Sequence, residues 1–140
     1  MYNSVMCAMC HRFDGEGGSI GPDLTGSANR YTVRDLMSSI IHPNEVISDQ
    51  YESHTITKTD GSQVIGRIVV EENGKVFVIT NPFAPNDQIA IDEKEIAKKE
   101  PSGISMMPPF LINALNEQEL LDLVAYMMSG GDKNHKMFKR

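Results

Sequence analysis

The 140-residue sequence has only two cysteines, no long apolar run and a deficit of positive charge. A helix that spans a bilayer needs roughly 18 or more apolar residues, and no segment approaches that length, so no membrane span is expected. The 13 Lys and Arg against 19 Asp and Glu give a net charge of −6. Such a chain lacks the clustered positive charge that general binding to nucleic acid phosphates requires. With 40% hydrophobic and 23% charged residues, the composition is typical of one globular domain.

The two cysteines, Cys7 and Cys10, are separated by two residues, and His11 follows them directly. A disulfide between them would close a very small loop and would constrain the unfolded chain little. A zinc site needs two more ligands, and His42 and His54 are too far apart in sequence for a zinc finger. A redox dithiol belongs between a strand and a long helix, an order that the sequence does not predict here. The pattern therefore favours the C-x-x-C-H signature of covalent haem attachment, with zinc or a redox dithiol as the alternative.

Covalent haem predicts where the protein is found. In bacteria the thioether bonds form outside the cytoplasmic membrane, so we expect an exported, periplasmic protein. The first five residues have neither the basic region nor the apolar region of a signal peptide. We therefore expect the export signal to be missing from this sequence, as in a mature or trimmed form.

The second axial ligand of the iron has several candidates. A methionine is favoured, because residues 105–110 read Ser-Met-Met-Pro-Pro-Phe and proline imposes an extended backbone on the residue before it. Such a loop can present a thioether to the haem, and Met107 is favoured over Met106 because it directly precedes Pro108. The alternative is a second histidine ligand, for which the candidates are His42, His54 and His135.

These motifs resemble class I cytochrome c. The resemblance rests on the segment 7–11, on Gly-Pro-Asp-Leu-Thr-Gly at 21–26, on Met107-Pro108 and on Leu-Val-Ala-Tyr in a C-terminal helix. It implies that the Pro22 carbonyl oxygen accepts a hydrogen bond from His11 Nδ1–H, an interaction that orients the ring and raises its basicity. It also implies that Met107 is the sixth ligand.

Within that class, the chain is most similar to the haem-binding domain described from Pirellula and Verrucomicrobium. The similarity is carried by Arg30-Tyr31, Ile41-His42-Pro43, Tyr51, Asp60-Gly61, Gly66 and the Met-Met-Pro stretch. Arg30 and Tyr31 suit hydrogen bonds to a haem propionate, because a guanidinium and a phenol both bind carboxylates. The alternative is that they are a surface arginine and a half-buried tyrosine.

The expected fold is a mainly α cytochrome c fold with an inserted small antiparallel β meander, α+β overall. We expect one monohaem domain over 1–140, with the β insertion at about 51–92 and a flexible basic tail at 131–140. His11 and Met107 are farther apart in sequence than a minimal cytochrome needs, which predicts the insertion. The tail contains Lys133, Lys136, Lys139 and Arg140.

Capping residues and periodicity predict the individual elements. Thr32 and Asp35 predict the start of a helix that ends near His42, and Asn116 and Glu119 predict the start of the last helix. Alternating apolar residues predict strands at 55–57, 64–70, 76–79 and 88–91. Asp60-Gly61 and Asn73-Gly74 are typical hairpin turns. Residues 92–99 are expected to form a short helical or bent edge, and the last helix is expected to bury Leu120, Leu123, Val124 and Met127.

The favoured role of the β insertion is a lid that covers one haem face; the alternative is a docking platform or an edge for a homodimer. The expected function of the chain is single-electron transfer between exported redox partners by a His/Met-ligated haem, without enzymatic activity, either as a separate carrier or as the electron-transfer domain of a larger exported redox enzyme. Partners would dock transiently, and neither nucleic acid nor a membrane span is expected. The alternatives are a haem-based sensor with a displaceable Met ligand and a zinc-stabilised interaction module.

Overall fold

A computed structural model describes residues 1–139, which form two compact units. The first unit contains Met1–Glu45 and the segment from Pro108 onwards, and the second unit is Val46–Met107. Arg140, one of the basic residues of the predicted tail, lies outside the described residues. Within the described part, no helix has the length and apolar character needed to cross a bilayer.

The first unit contains the helices and a short hairpin. Its α-helices are α1 Cys7–Cys10, α2 Val33–Ile41 and α3 Glu117–Met128. Its two-stranded hairpin consists of β1 Arg12–Phe13 and β2 Glu16–Gly17. Short 3-10 helices lie at Ser27–Asn29 and Lys136–Phe138.

The second unit is an antiparallel sheet with the order β6-β5-β4-β3-β7. Its strands are β3 Glu52–Lys58, β4 Gln63–Glu72, β5 Lys75–Ile79, β6 Gln88–Asp92 and β7 Ile96–Ser105. All four predicted strands are present. Asn73 (φ 52°) and Gly74 (φ 72°) both have positive φ, as the predicted two-residue hairpin turn between β4 and β5 requires.

The prediction of a mainly α fold is wrong. Over residues 1–139, the three α-helices have only 4, 9 and 12 residues, whereas one five-stranded and one two-stranded sheet are present. The two longer helices, α2 and α3, have a clear start signal: Thr32 with Asp35 and Asn116 with Glu119 each make a reciprocal capping box. The Gly-rich segment 12–31 has no such signal, and it forms a hairpin, a 3-10 turn and irregular chain instead.

The fifth strand was not predicted. Residues 93–95 are a 3-10 helix, close to the expected bent edge, but β7 follows and pairs with β3. Its run of Lys98, Lys99, Glu100 and Pro101 lacks the apolar alternation that identifies a half-buried strand. Charged residues and proline are instead typical of an edge strand, where they discourage pairing with other chains. The β insertion therefore extends to Ser105 rather than ending at 92.

The sheet of the second unit is strongly curled. Its edges, β6 and β7, are joined by the three-residue 3-10 helix Glu93–Glu95, so Asp92 and Ile96 are at most about 14 Å apart. In a flat sheet, five strands would separate the two edges by roughly 19 Å. An ion pair of 2.7 Å between Lys99 of β7 and Glu71 of β4 agrees with this curl, because β3 lies between those strands.

Curling allows the sheet to enclose its own core. Ile56, Val76, Val78 and Ile91 are at most 1% exposed, and Val64, Ile68 and Ile96 pack against them. The sheet therefore covers these apolar side chains with its own residues. The role of the insertion as a lid over one haem face stays a prediction.

We predict that Ile56→Ala lowers the free energy of unfolding by about 2–5 kcal/mol, because Ile56 is fully buried and truncation leaves a cavity. Ile65→Ala is the matched control: Ile65 is 45% exposed on the neighbouring strand, so a change within about 1 kcal/mol is expected. Urea unfolding followed by circular dichroism measures both. Equal losses in the two variants would contradict the placement of the core inside the curl.

Candidate cofactor site

The C-x-x-C-H residues are presented from a single helical turn. Helix α1 contains Cys7 and Cys10, and His11 is its C-cap in an extended conformation (φ −109°, ψ 135°). The His11 backbone N–H donates to the Cys7 carbonyl oxygen at 2.8 Å. Both cysteine side chains are half-buried thiols. Two sulfur atoms and one imidazole are therefore positioned by a segment of only five residues.

The imidazole of His11 is oriented by Pro22. The distance between His11 Nδ1 and the Pro22 carbonyl oxygen is 2.8 Å. A carbonyl oxygen can only accept, so Nδ1 carries the proton and Nε2 presents its lone pair. Burial lowers the pKa of His11, and the hydrogen bond to Pro22 only partly opposes that effect. The ring is thus held in the neutral tautomer that a metal ligand requires.

Gly21 lies directly against the face of this imidazole. A Cβ atom at position 21 would be 2.5 Å from His11 Cε1 and 2.7 Å from His11 Nδ1. The Gly21 backbone N–H also donates to the Cys10 carbonyl oxygen at 2.7 Å. No side chain fits between the loop and the ring, which explains why glycine precedes Pro22.

The loop before Gly21 packs equally closely on α1. A Cβ at Gly17 would be 2.2 Å from the His11 carbonyl oxygen, and one at Gly18 would be 2.1 Å from the Met9 carbonyl oxygen. The Gly18 N–H donates to the Ala8 carbonyl oxygen at 2.9 Å. The Gly-rich composition of this segment is therefore a packing requirement of the C-x-x-C-H turn.

An aromatic cluster supports the other side of His11. The Tyr2 hydroxyl donates to the His11 carbonyl oxygen at 3.1 Å, and burial raises the pKa of Tyr2. Its ring packs on Phe13 and Tyr126 with centroid distances of 5.7 and 5.4 Å, and Phe13 and Tyr126 are 4.6 Å apart. Tyr126 is 37% exposed. Sequence reasoning missed the role of Tyr2, since no local pattern links positions 2, 13 and 126.

The thiols do not have the properties of a redox dithiol. Burial raises the pKa of Cys7 and of Cys10 above the ordinary thiol value. Both therefore stay protonated at neutral pH, whereas the attacking cysteine of a redox pair has a lowered pKa. This difference disfavours the redox alternative for the C-x-x-C pair.

Arg30 and Tyr31 follow the 3-10 helix Ser27–Asn29, and both are exposed. Arg30 Nη2 donates to the Asp23 carbonyl oxygen at 3.0 Å, and the Arg30 guanidinium lies 5.7 Å from the centre of the Tyr31 ring. The contact with Asp23 links Arg30 to the loop that packs on His11. Their role towards a haem propionate stays a prediction.

The candidates for the sixth ligand lie on several elements. Met106 and Met107 follow β7, are half-buried, and end the second unit; the Met107 N–H donates to Ser105 Oγ at 3.1 Å. Among the alternatives, His42 is the C-cap of α2, His54 lies on β3, and His135 is the N-cap of the last 3-10 helix. The assignment of Met107 stays a prediction.

The donor set of the first unit fits covalently bound haem. Cys7 and Cys10 supply two thiols from one turn, and His11 supplies a neutral imidazole whose Nδ1 is already occupied by Pro22. Over residues 1–139, no group of three or more His, Cys, Asp and Glu side chains is arranged to hold a metal ion. A haem anchored through two thioethers and one imidazole needs no such group.

The family described as cytochrome c matches the chain over residues 2–98. The match includes the C-x-x-C-H turn, the Gly21-Pro22 loop and most of the β insertion, and it ends before Met107 and α3. No curated protein matches the chain.

We predict that Gly21→Ala reduces the amount of covalent haem per polypeptide, because the new Cβ would overlap the His11 ring and break its hydrogen bond to Pro22. Gly26→Ala is the control, since a Cβ at position 26 would meet nothing within 4 Å. The measurement is the ratio of haem absorbance to protein after co-expression with the haem attachment machinery. Wild-type haem content in Gly21→Ala would contradict the close packing of the loop on the ring.

We predict that Tyr2→Phe lowers the free energy of unfolding by about 0.5–1.5 kcal/mol, through loss of the hydrogen bond to the His11 carbonyl oxygen. Tyr126→Phe removes a hydroxyl from the same cluster and should change stability by less than about 0.5 kcal/mol, because Tyr126 is partly exposed. Denaturant unfolding of the two variants distinguishes them, and a larger loss for Tyr126→Phe would argue against the Tyr2 contact.

Proposed function

The chain belongs to the cytochrome c family, and we propose that it is a monohaem carrier of single electrons. Family membership makes it a haem-binding electron-transfer protein with covalently bound haem c. We propose in addition that the chain binds one haem, that His11 and Met107 are the protein ligands of the iron, and that the protein is exported. The observation that carries it is the His11 imidazole, fixed in its neutral tautomer by Pro22 on the same turn that presents Cys7 and Cys10.

Each residue of the turn has a distinct role in this proposal. Cys7 and Cys10 would hold the porphyrin through thioether bonds, and His11 would bind the iron through Nε2. The Pro22 carbonyl oxygen keeps the proton on Nδ1, which fixes the ring orientation and raises the basicity of the ligand. Gly21 allows this approach because it has no side chain. When bound, the haem supplies an iron that accepts and releases one electron.

We propose that Met107 would be the second protein ligand of the iron. Two protein ligands would leave no open position for a substrate, and a thioether would favour ferrous iron and so raise the reduction potential. This coordination supports electron transfer rather than enzymatic catalysis. The alternative function, a haem-based sensor, would require that Met107 be displaced by an added ligand.

The setting of the protein follows from the same chemistry. We propose that it is exported to the periplasm, where covalent haem attachment takes place, and that it meets its redox partners through weak, transient docking. Arg30 and Tyr31 would contact a haem propionate. We also propose that the chain is similar to the haem-binding domain of Pirellula and Verrucomicrobium. A second proposal is that two copies form a homodimer through the β insertion.

The function is tested by optical spectra of the matured protein in both redox states. We expect a haem c spectrum, haem that remains attached after denaturing electrophoresis, and a sulfur-to-iron charge-transfer band in the far red. Met107→Ala should abolish that band, whereas Met106→Ala, the matched control in the neighbouring position, should retain it.

Three results would change the proposal. A colourless product would overturn the haem assignment, and loss of the band in Met106→Ala alone would move the ligand to Met106. Rapid binding of carbon monoxide to the ferrous wild-type protein would favour the sensor over the electron carrier.

A further inference from the structure

The Thr25 hydroxyl joins the hairpin that follows His11 to the loop that contains Pro22. It accepts a hydrogen bond from the Asp14 backbone N–H at 2.9 Å and donates one to the Asp23 carboxylate at 2.6 Å. The same carboxylate oxygen accepts from the Thr25 backbone N–H at 2.8 Å. A hydroxyl can make both contacts because it carries one donor and two lone pairs. We call this set of contacts the Thr25 bridge.

One end of the bridge is the residue next to Pro22. The Pro22 carbonyl group and the Asp23 nitrogen belong to one planar peptide group, so the direction of this carbonyl is coupled to the φ angle of Asp23. The Asp23 carboxylate is held by the bridge, and the Asp23 carbonyl oxygen accepts from Arg30 Nη2 at 3.0 Å. Asp23 is thereby fixed through both its side chain and its main chain.

The other end of the bridge is fixed by the hairpin and by the turn after α3. Asp14 lies in the turn between β1 and β2, three residues after His11, and has a φ of 50°. A Cβ atom at Gly131 would be 2.9 Å from Asp14 Cγ, and one at Gly130 would be 3.5 Å from the Thr25 carbonyl oxygen. These two glycines therefore pack against both Asp14 and Thr25.

We propose that Thr25 is a positioning residue for the His11 imidazole. Its hydroxyl fixes Asp23 relative to the hairpin, and Asp23 in turn fixes the Pro22 carbonyl oxygen against His11 Nδ1–H. This inference rests on the proposed function, in which His11 binds the iron. Without the hydroxyl, the hydrogen bond from Nδ1–H would weaken and the imidazole would become a less basic ligand. Such a ligand stabilises ferric iron less, so the reduction potential would rise.

A motif of the same chemistry in the second unit provides a matched control. The Asp60 carboxylate accepts from the Ser62 backbone N–H at 2.8 Å and from the Ser62 hydroxyl at 2.6 Å, the distances found between Asp23 and Thr25. Residues 60–62 belong to the second unit, whereas the C-x-x-C-H turn belongs to the first. Ser62→Ala therefore removes the same kind of contact without changing the bridge.

The test compares Thr25→Val, which replaces the hydroxyl by a methyl group, with Thr25→Ser, which keeps the hydroxyl. In the haem-loaded full chain, Thr25→Val should raise the reduction potential, whereas Thr25→Ser and Ser62→Ala should have the wild-type value. In NMR spectra, the His11 Nδ1 proton of Thr25→Val should exchange with solvent roughly tenfold faster, the effect expected for one lost hydrogen bond. The exchange rate in Thr25→Ser and Ser62→Ala should be that of the wild type.

The outcomes separate this inference from the proposed function. A wild-type potential and exchange rate in haem-loaded Thr25→Val would overturn the positioning role and leave the electron carrier intact, even if the variant is less stable. A rise of the same size in Thr25→Ser would also overturn the role, since that variant keeps the hydroxyl. If Thr25→Val does not fold, Thr25→Ala, which places no new methyl group next to Asp14, decides by the same two measurements. A wild-type chain without covalent haem would overturn both proposals.

Discussion

The hydrogen bond between His11 Nδ1 and the Pro22 carbonyl oxygen is the interaction on which the haem site depends. It decides which ring nitrogen carries the proton and therefore which one can bind iron. In this loop the approach requires glycine before Pro22, because a Cβ at position 21 would lie 2.5 Å from His11 Cε1. This hydrogen bond thus joins the irregular loop at Pro22 to the end of the one-turn helix α1, and it orients the imidazole next to the two cysteines.

The supporting groups come from distant parts of the chain. Tyr2 bonds the carbonyl oxygen of His11, Phe13 belongs to the hairpin that follows, and Tyr126 lies on α3. Because Tyr126 of the C-terminal helix packs in the same aromatic cluster, this helix supports the segment that contains His11. A small protein with a helix of only four residues at its cofactor site needs such support, since a short helix has little stability of its own.

Local signals in the sequence predicted local structure well. The capping pairs Thr32–Asp35 and Asn116–Glu119 identified both longer helices, and Asn73-Gly74 identified a hairpin, because these motifs act within a few residues. The fold class and strand β7 were not predicted. The sequence of β7 is mostly polar, and its partner β3 lies about forty residues earlier in the chain, so no local pattern indicates the pairing. The contact between Tyr2 and the His11 carbonyl oxygen is likewise visible only in three dimensions.

Pairing of β7 with β3 also has an architectural consequence. The first and last strands of the second unit are hydrogen-bonded neighbours, with Glu52 opposite Ser105. The first and last residues of the sheet in this unit therefore lie next to each other. A segment with this property can be spliced into a surface loop of a host protein without forcing the loop's ends apart. In this chain, the splice adds an entire sheet to the sequence between Glu45 and Pro108 of the first unit.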